Sequence, residues 1–149
     1  MILLDTCVIS ETLRDEPDAA VLDWIAALPE TRVYLSSLVV GELQKGIELL
    51  EPGAKQAALR VWLEQLQERF AGRILPVDAE TALLWGGLCA KMRKAGTPLP
   101  VIDGLLAASA LRHQALLATR NIDDFRNTGV RLLNPWEHGA VDSQDLDNS

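Results

Sequence analysis

Cysteine and histidine are scarce, with two of each among 149 residues. Cys7 and Cys89 lie far apart in apolar segments and form no CxxC pair. This argues against a disulfide framework and a zinc site, and marks both as small buried thiols. His113 and His138 have no metal-ligand spacing to each other or to a cysteine, so surface or helix-end positions are expected. No run approaches the roughly 18 uncharged apolar residues that a membrane helix needs, the longest candidates being broken by Asp78, Lys91, Arg112 or Arg120. The opening Met1-Ile2-Leu3-Leu4-Asp5 has neither the basic region nor the long apolar region of a signal peptide, which predicts a cytoplasmic protein without a membrane role. No GxGxxG or GxxxxGK[ST] loop occurs, Gly86-Gly87 falling inside a helical stretch. Internal repeats, low-complexity blocks and interdomain linkers are also missing.

What is there is globular in composition. Hydrophobic residues make up 48% and charged residues 23% of the chain, which suits one core and rules out disorder of the whole chain. The net charge of −7 would ordinarily count against a nucleic-acid partner. Four acids, Glu137, Asp142, Asp145 and Asp147, follow residue 136 without a lysine or arginine, leaving 17 acids against 14 bases before it. The body is thus only mildly acidic, and acids gathered round a cation would leave local basic patches elsewhere. Residues 139–149 are polar with little to bury and are expected to form a disordered acidic tail behind a folded domain over residues 1–138.

Short apolar runs predict strands at residues 2–4, 33–35, 73–77, 115–118 and 130–133. Helices are predicted over 8–13, over 17–28 with Pro17 in the first turn, from a Ser36-Ser37 cap to residue 50, and over 54–70, 79–95 and 102–114. Residues 121–125 read as a loop or single turn. Strands alternating with helices imply an α/β fold, its mostly parallel sheet covered on both faces.

Several carboxylates stand at odds with this pattern. Glu42 shares a helical face with Leu38, Val39, Gly46 and Leu49, a stripe expected to face the core. A lone carboxylate there loses hydration worth roughly several kcal/mol, so it stays protonated, meets a cation or sits at a cleft edge; a helix-edge glutamate reaching solvent fits equally well. Asp103 shares its face with Leu106, Ala107 and Ala110, a pattern that a first-turn acid opposing the helix dipole also produces. Asp5 ends the first strand, and residues 121–124 follow the 115–118 strand. If those strands are neighbours where the winding of the sheet reverses, their acids meet in one crevice. Converging carboxylates repel, and a divalent cation is the simplest remedy. Oxygen ligands favour Mg²⁺ or Mn²⁺ over zinc, and such sites activate water for attack on phosphodiesters.

Four segments in order carry a resemblance: Ile2-Leu3-Leu4-Asp5-Thr6, then Ser36-Ser37-Leu38-Val39-Val40-Gly41-Glu42-Leu43, then Asp103-Gly104-Leu105-Leu106-Ala107-Ala108, then Ala118-Thr119-Arg120-Asn121-Ile122-Asp123-Asp124-Phe125. Together they resemble the PIN-domain family, in particular the VapC and FitB-like toxin ribonucleases of type II toxin–antitoxin systems, over residues 1 to about 136, including the closing Leu133-Asn134-Pro135-Trp136. The resemblance implies a PIN-like three-layer sandwich with a central sheet of four to five strands, and a Mg²⁺- or Mn²⁺-dependent endoribonuclease. Carried over by position, Asp5, Glu42 and Asp103 would be catalytic metal ligands with Asp124 as the fourth. Some relatives have an acid where Asn121 stands, so Asn121 competes for that place or orients the ligands. Thr6 and Thr119 would orient carboxylates through their hydroxyls. Arg14, Lys45 and Arg120 are candidates for contacts to RNA phosphates.

The resemblance further implies a homodimer, inhibited by a cognate antitoxin through which alone it would meet DNA. One departure is Cys7, where the family usually has asparagine, since a thiol replaces an amide poorly. A rival reading is therefore a catalytically weak binding subunit that works through its antitoxin in a DNA-bound repressor complex. A phosphatase of the two-aspartate kind is disfavoured, because Asp5-Thr6-Cys7 has no second acid at i+2. Trp24, Trp62 and Trp85 are expected as core or interface anchors, and Trp136 as packing for the last strand.

Overall fold

Five strands, β1 (Ile2–Leu4), β2 (Val33–Ser36), β3 (Ile74–Leu75), β4 (Leu116–Ala118) and β5 (Arg131–Leu133), pair in the order β3-β2-β1-β4-β5 in a computed structural model that describes residues 1–137. Every pairing is parallel, with Ile2 opposite both Val33 and Leu116, and Leu4 opposite Ala118. Ile2, Leu3, Leu35 and Leu117 are fully buried, as the continuous apolar runs of a sheet covered on both faces require.

Six helices cover the sheet: α1 (Thr6–Glu11), α2 (Ala19–Ala27), α3 (Ser37–Glu48), α4 (Ala54–Arg69), α5 (Ala79–Lys94) and α6 (Val101–Arg112). The chain steps one way from β1 to β3, so right-handed crossovers put α1 to α4 on one face. The return from β3 to β4 puts α5 and α6 on the other. The packing agrees, α3 lying against α1 and α4, and α5 against α6. The expected three-layer α/β sandwich is thus the observed fold. No helix among the described residues is long and apolar enough to cross a membrane. His138 and the expected tail at 139–149 lie outside the described residues.

Several helix starts differ from expectation because acids cap them. α1 begins at Thr6, two residues early, since Asp5 Oδ1 accepts the Thr6 N–H at 2.7 Å. α2 begins at Ala19 instead of near Pro17, because Asp18 Oδ1 accepts the Ala20 N–H at 2.8 Å. Pro76, which has no N–H to donate, follows a β3 of two residues. Trp24 is buried, Trp62 and Trp136 pack against the core edge, and the half-buried Trp85 keeps an unpartnered indole N–H.

Candidate active site

The winding of the sheet reverses between β1 and β4, which are neighbours, so the loops leaving them part to opposite faces and open a crevice. Asp5 sits at its base, 8% exposed. Its N–H donates to the Ala118 carbonyl at 2.9 Å, extending the β1–β4 ladder to the floor of the crevice. Besides the cap to Thr6, its Oδ2 accepts the Thr119 hydroxyl at 2.8 Å. Thr119 is fully buried, and its Oγ1 in turn accepts the Asn121 N–H at 3.1 Å. The threonine's single proton is therefore committed to Asp5, and Asp5 is clamped from both sides.

Glu42 rises from α3, whose N-terminus Ser36 caps by accepting the Leu38 N–H at 3.2 Å. The core stripe of this helix is Val39, Leu43 and Ile47, while Leu49 is 77% exposed. The expectation that Glu42 lies on the core-facing stripe is corrected: of two adjacent stripes, the one without glycine buries more apolar surface and turns inward. Glu42 is left half-buried at the cleft edge, where the Thr6 hydroxyl donates to its Oε1 at 2.8 Å.

Asp103 is half-buried in the first turn of α6, with Leu106, Ala107 and Ala110 buried behind it, so both readings of its position hold. Burial first, and then the negative charges of Asp5, Asp124 and Glu42, push its carboxyl above the ordinary range. Asp103 thus lies within the field of three acids that come from the end of β1, from α3 and from the turn after β4. None of the four is ion-paired to a lysine or arginine among the described residues. Asp124 is exposed on that turn (Ile122–Phe125), and its N–H donates to the Asn121 carbonyl at 3.1 Å.

An oxygen-liganded divalent ion fits this set, because it would supply the countercharge that no side chain among the described residues supplies. Among the described residues no three His, Cys, Asp or Glu side chains stand close enough to hold a metal as they are. Asp5, Glu42, Asp103 and Asp124 are the residues that would hold such an ion, Asp5 being the one already fixed by hydrogen bonds.

Cys7 Sγ lies 3.7 Å from Asp5 Oδ2 and 3.9 Å from Thr119 Oγ1. Burial and then the Asp5 charge push its thiol up to about 11, so it stays protonated. The amide expected of the family is replaced here by a weak donor.

The basic candidates are divided. Arg14 is exposed and 3.4 Å from Glu11, and with Thr6, Glu42, Lys55 and Trp62 it lines a groove of about 740 Å³. Lys45 is exposed one turn beyond Glu42 and does not line that groove, where Lys55 stands instead. The Arg120 guanidinium lies over the Trp136 ring, 5.1 Å from its centroid. Glu11 went unnoticed in the sequence: it is 4% exposed and accepts the Asp18 N–H at 2.9 Å. It pins the connection between α1 and α2. Its only sequence signal was Arg14 at i+3.

The sequence pattern of the PIN domain matches residues 2–130. The chain is 44% identical to the plasmid stability protein StbB of Pseudomonas syringae pv. tomato, covering 92% of this chain and 99% of that protein. It is 41% identical to toxin FitB of Neisseria gonorrhoeae, with 91% and 99% covered. Against the VapC ribonuclease Y4jK of Sinorhizobium fredii the identity is 38%, with 92% and 99% covered. Among solved structures, a chain of FitAB bound to the IR36 DNA fragment superposes with a TM-score of 0.89 at 39% identity, covering 93% of this chain and 97% of that one.

Proposed function

This chain belongs to the PIN-domain family, and from that premise we propose that it is a Mg²⁺- or Mn²⁺-dependent endoribonuclease, the toxin of a toxin–antitoxin pair, acting in the cytoplasm. The observation that carries the reading is that Asp5 lies at the β1–β4 switch point and that Asp103 feels the charges of Asp5, Asp124 and Glu42, with none of the four ion-paired to a lysine or arginine among the described residues. A bound divalent ion would supply water activation and charge neutralisation for the phosphodiester. Asp5, held by Thr119 and the Thr6 N–H, offers oxygens in a fixed place. Glu42, held by the Thr6 hydroxyl, and Asp103, raised by its neighbours, offer two more. Asp124 completes the set, and Asn121, whose N–H locks Thr119, is a positioning group.

Likeness to Y4jK and to the FitAB–DNA complex supports RNA as substrate and a cognate antitoxin as partner, with DNA reached only through the antitoxin. An antitoxin side chain such as arginine entering the crevice would neutralise the acids in place of the ion. A homodimer is supported by Leu83, Leu84, Val101 and Ile102, which are exposed on α5 and the start of α6.

The test is purified, antitoxin-free protein incubated with total RNA and Mn²⁺, with and without chelator. Cleavage that chelator stops, and that Asp5→Asn and Asp103→Asn lack while still folded, is expected. No cleavage by the wild type supports the rival binding subunit, the reading that Cys7 favours. Full activity in both variants removes the mechanism.

A further inference from the structure

Even with a divalent ion bound, four carboxylates leave the crevice negative, and a phosphodiester strand adds more negative charge. Holding RNA there requires a cation placed at the rim. We propose that Arg120, propped on Trp136, binds an RNA backbone phosphate next to the bond that is cut, an inference that rests on the ribonuclease reading above.

Three observations carry it. First, Arg120 directly follows Thr119, the residue that clamps Asp5, so it leaves the chain beside the floor of the crevice. Second, it lines a polar pocket of about 390 Å³ together with Asn121, Asp123, Asp124, Arg126, Asn134 and Glu137, so it shares one space with the fourth candidate acid. Third, its guanidinium rests on an aromatic face and has no carboxylate partner among the described residues. Arg126, by contrast, is paired with Asp123 at 2.7 Å. Glu137 on the same lining is exposed. A guanidinium held by stacking keeps its full charge and its fork of donors while losing rotamer freedom, which suits bidentate capture of phosphate.

The test uses the full chain and a short fluorescein-labelled single-stranded RNA, cleaved with Mn²⁺ between about 50 and 200 mM salt. Arg120→Ala is expected to raise KM about tenfold with little change in kcat. The slope of log KM against log salt should become shallower by about 0.7, the value of one lost phosphate contact on a single strand. Arg120→Lys should keep the slope and recover part of the affinity, and Trp136→Leu should raise KM without changing the slope. Wild-type KM and slope in Arg120→Ala would overturn the inference, as would a kcat loss at unchanged KM. Binding of the same RNA in chelator, read by anisotropy, separates the two claims. A wild type that binds more tightly than Arg120→Ala yet never cleaves removes the ribonuclease reading and leaves the phosphate contact standing. Equal binding by both proteins removes the contact alone.

Discussion

Asp5 owes its position least to any ion, since a strand ladder, a helix cap and a buried hydroxyl all hold it. Asp103 is the opposite case, its charge opposed by burial and by three other acids. Replacing each with asparagine should therefore separate function from stability. Both variants should lose RNA cleavage to background, but only Asp103→Asn should raise the Tm in chelator, because it removes repulsion without breaking a hydrogen bond; equal or lower Tm for that variant would contradict the electrostatics. Cys7 makes a different prediction. With its thiol pushed up to about 11, it should react slowly with iodoacetamide near pH 8 in the folded protein, followed by mass spectrometry of its peptide. Asp5 and Asp103 were legible because an acid at a strand end or facing an apolar stripe is costly without a reason. The Arg120–Trp136 stack was not, since fifteen intervening positions carry no local signal of a contact made by folding.

Elements place these side chains, and hydroxyls fasten the elements to one another. Thr119, one residue beyond β4, ties that strand's loop to β1 through Asp5. Thr119→Val should lower kcat by about 10- to 100-fold, the usual range for a group that orients a metal ligand, while Thr119→Ser retains activity. On the far face, Arg112 near the end of α6 pairs with Asp78 and Glu80 at the start of α5. The Arg112 guanidinium, followed by the Thr81 N–H, holds the Asp78 carboxyl well below its usual range. A carboxylate depressed by folding stabilises fully above its unfolded value of 3.8, and that stability is lost as pH falls through the folded value. The Tm gap between wild type and Arg112→Met should therefore stay open from neutral pH to about 5 and close only in stronger acid. Strand and helix locations followed from apolar runs and spacing. Helix starts did not, because Asp5 and Asp18 act as caps only once the flanking backbone is extended. The inward face of α3 was also ambiguous, two neighbouring apolar stripes differing by one residue.

At the scale of the molecule, the site exists because β1 and β4 are neighbours, a fact about strand order that no local pattern encodes. The alternation of strands and helices implied a parallel sheet, and the resemblance supplied the rest. A crevice built this way stores repulsion in the metal-free fold, so an ion should act as a stabilising ligand of the whole domain. At a concentration about 100 times its Kd, such a ligand adds about 2.7 kcal/mol. For a chain of this length that corresponds to a Tm rise of roughly 5–10 °C. Mn²⁺ should produce this shift in a thermal melt of the wild type and chelator should reverse it. In Asp103→Asn the shift should largely vanish, since that variant has already relieved the repulsion and lost a donor. Ca²⁺, also an oxygen-seeking ion but larger, should stabilise less if the crevice closes tightly on its ligands. A Tm in Mn²⁺ equal to that in chelator would mean that the four acids tolerate one another without an ion, and the physical case for hydrolysis through this crevice would fall with it.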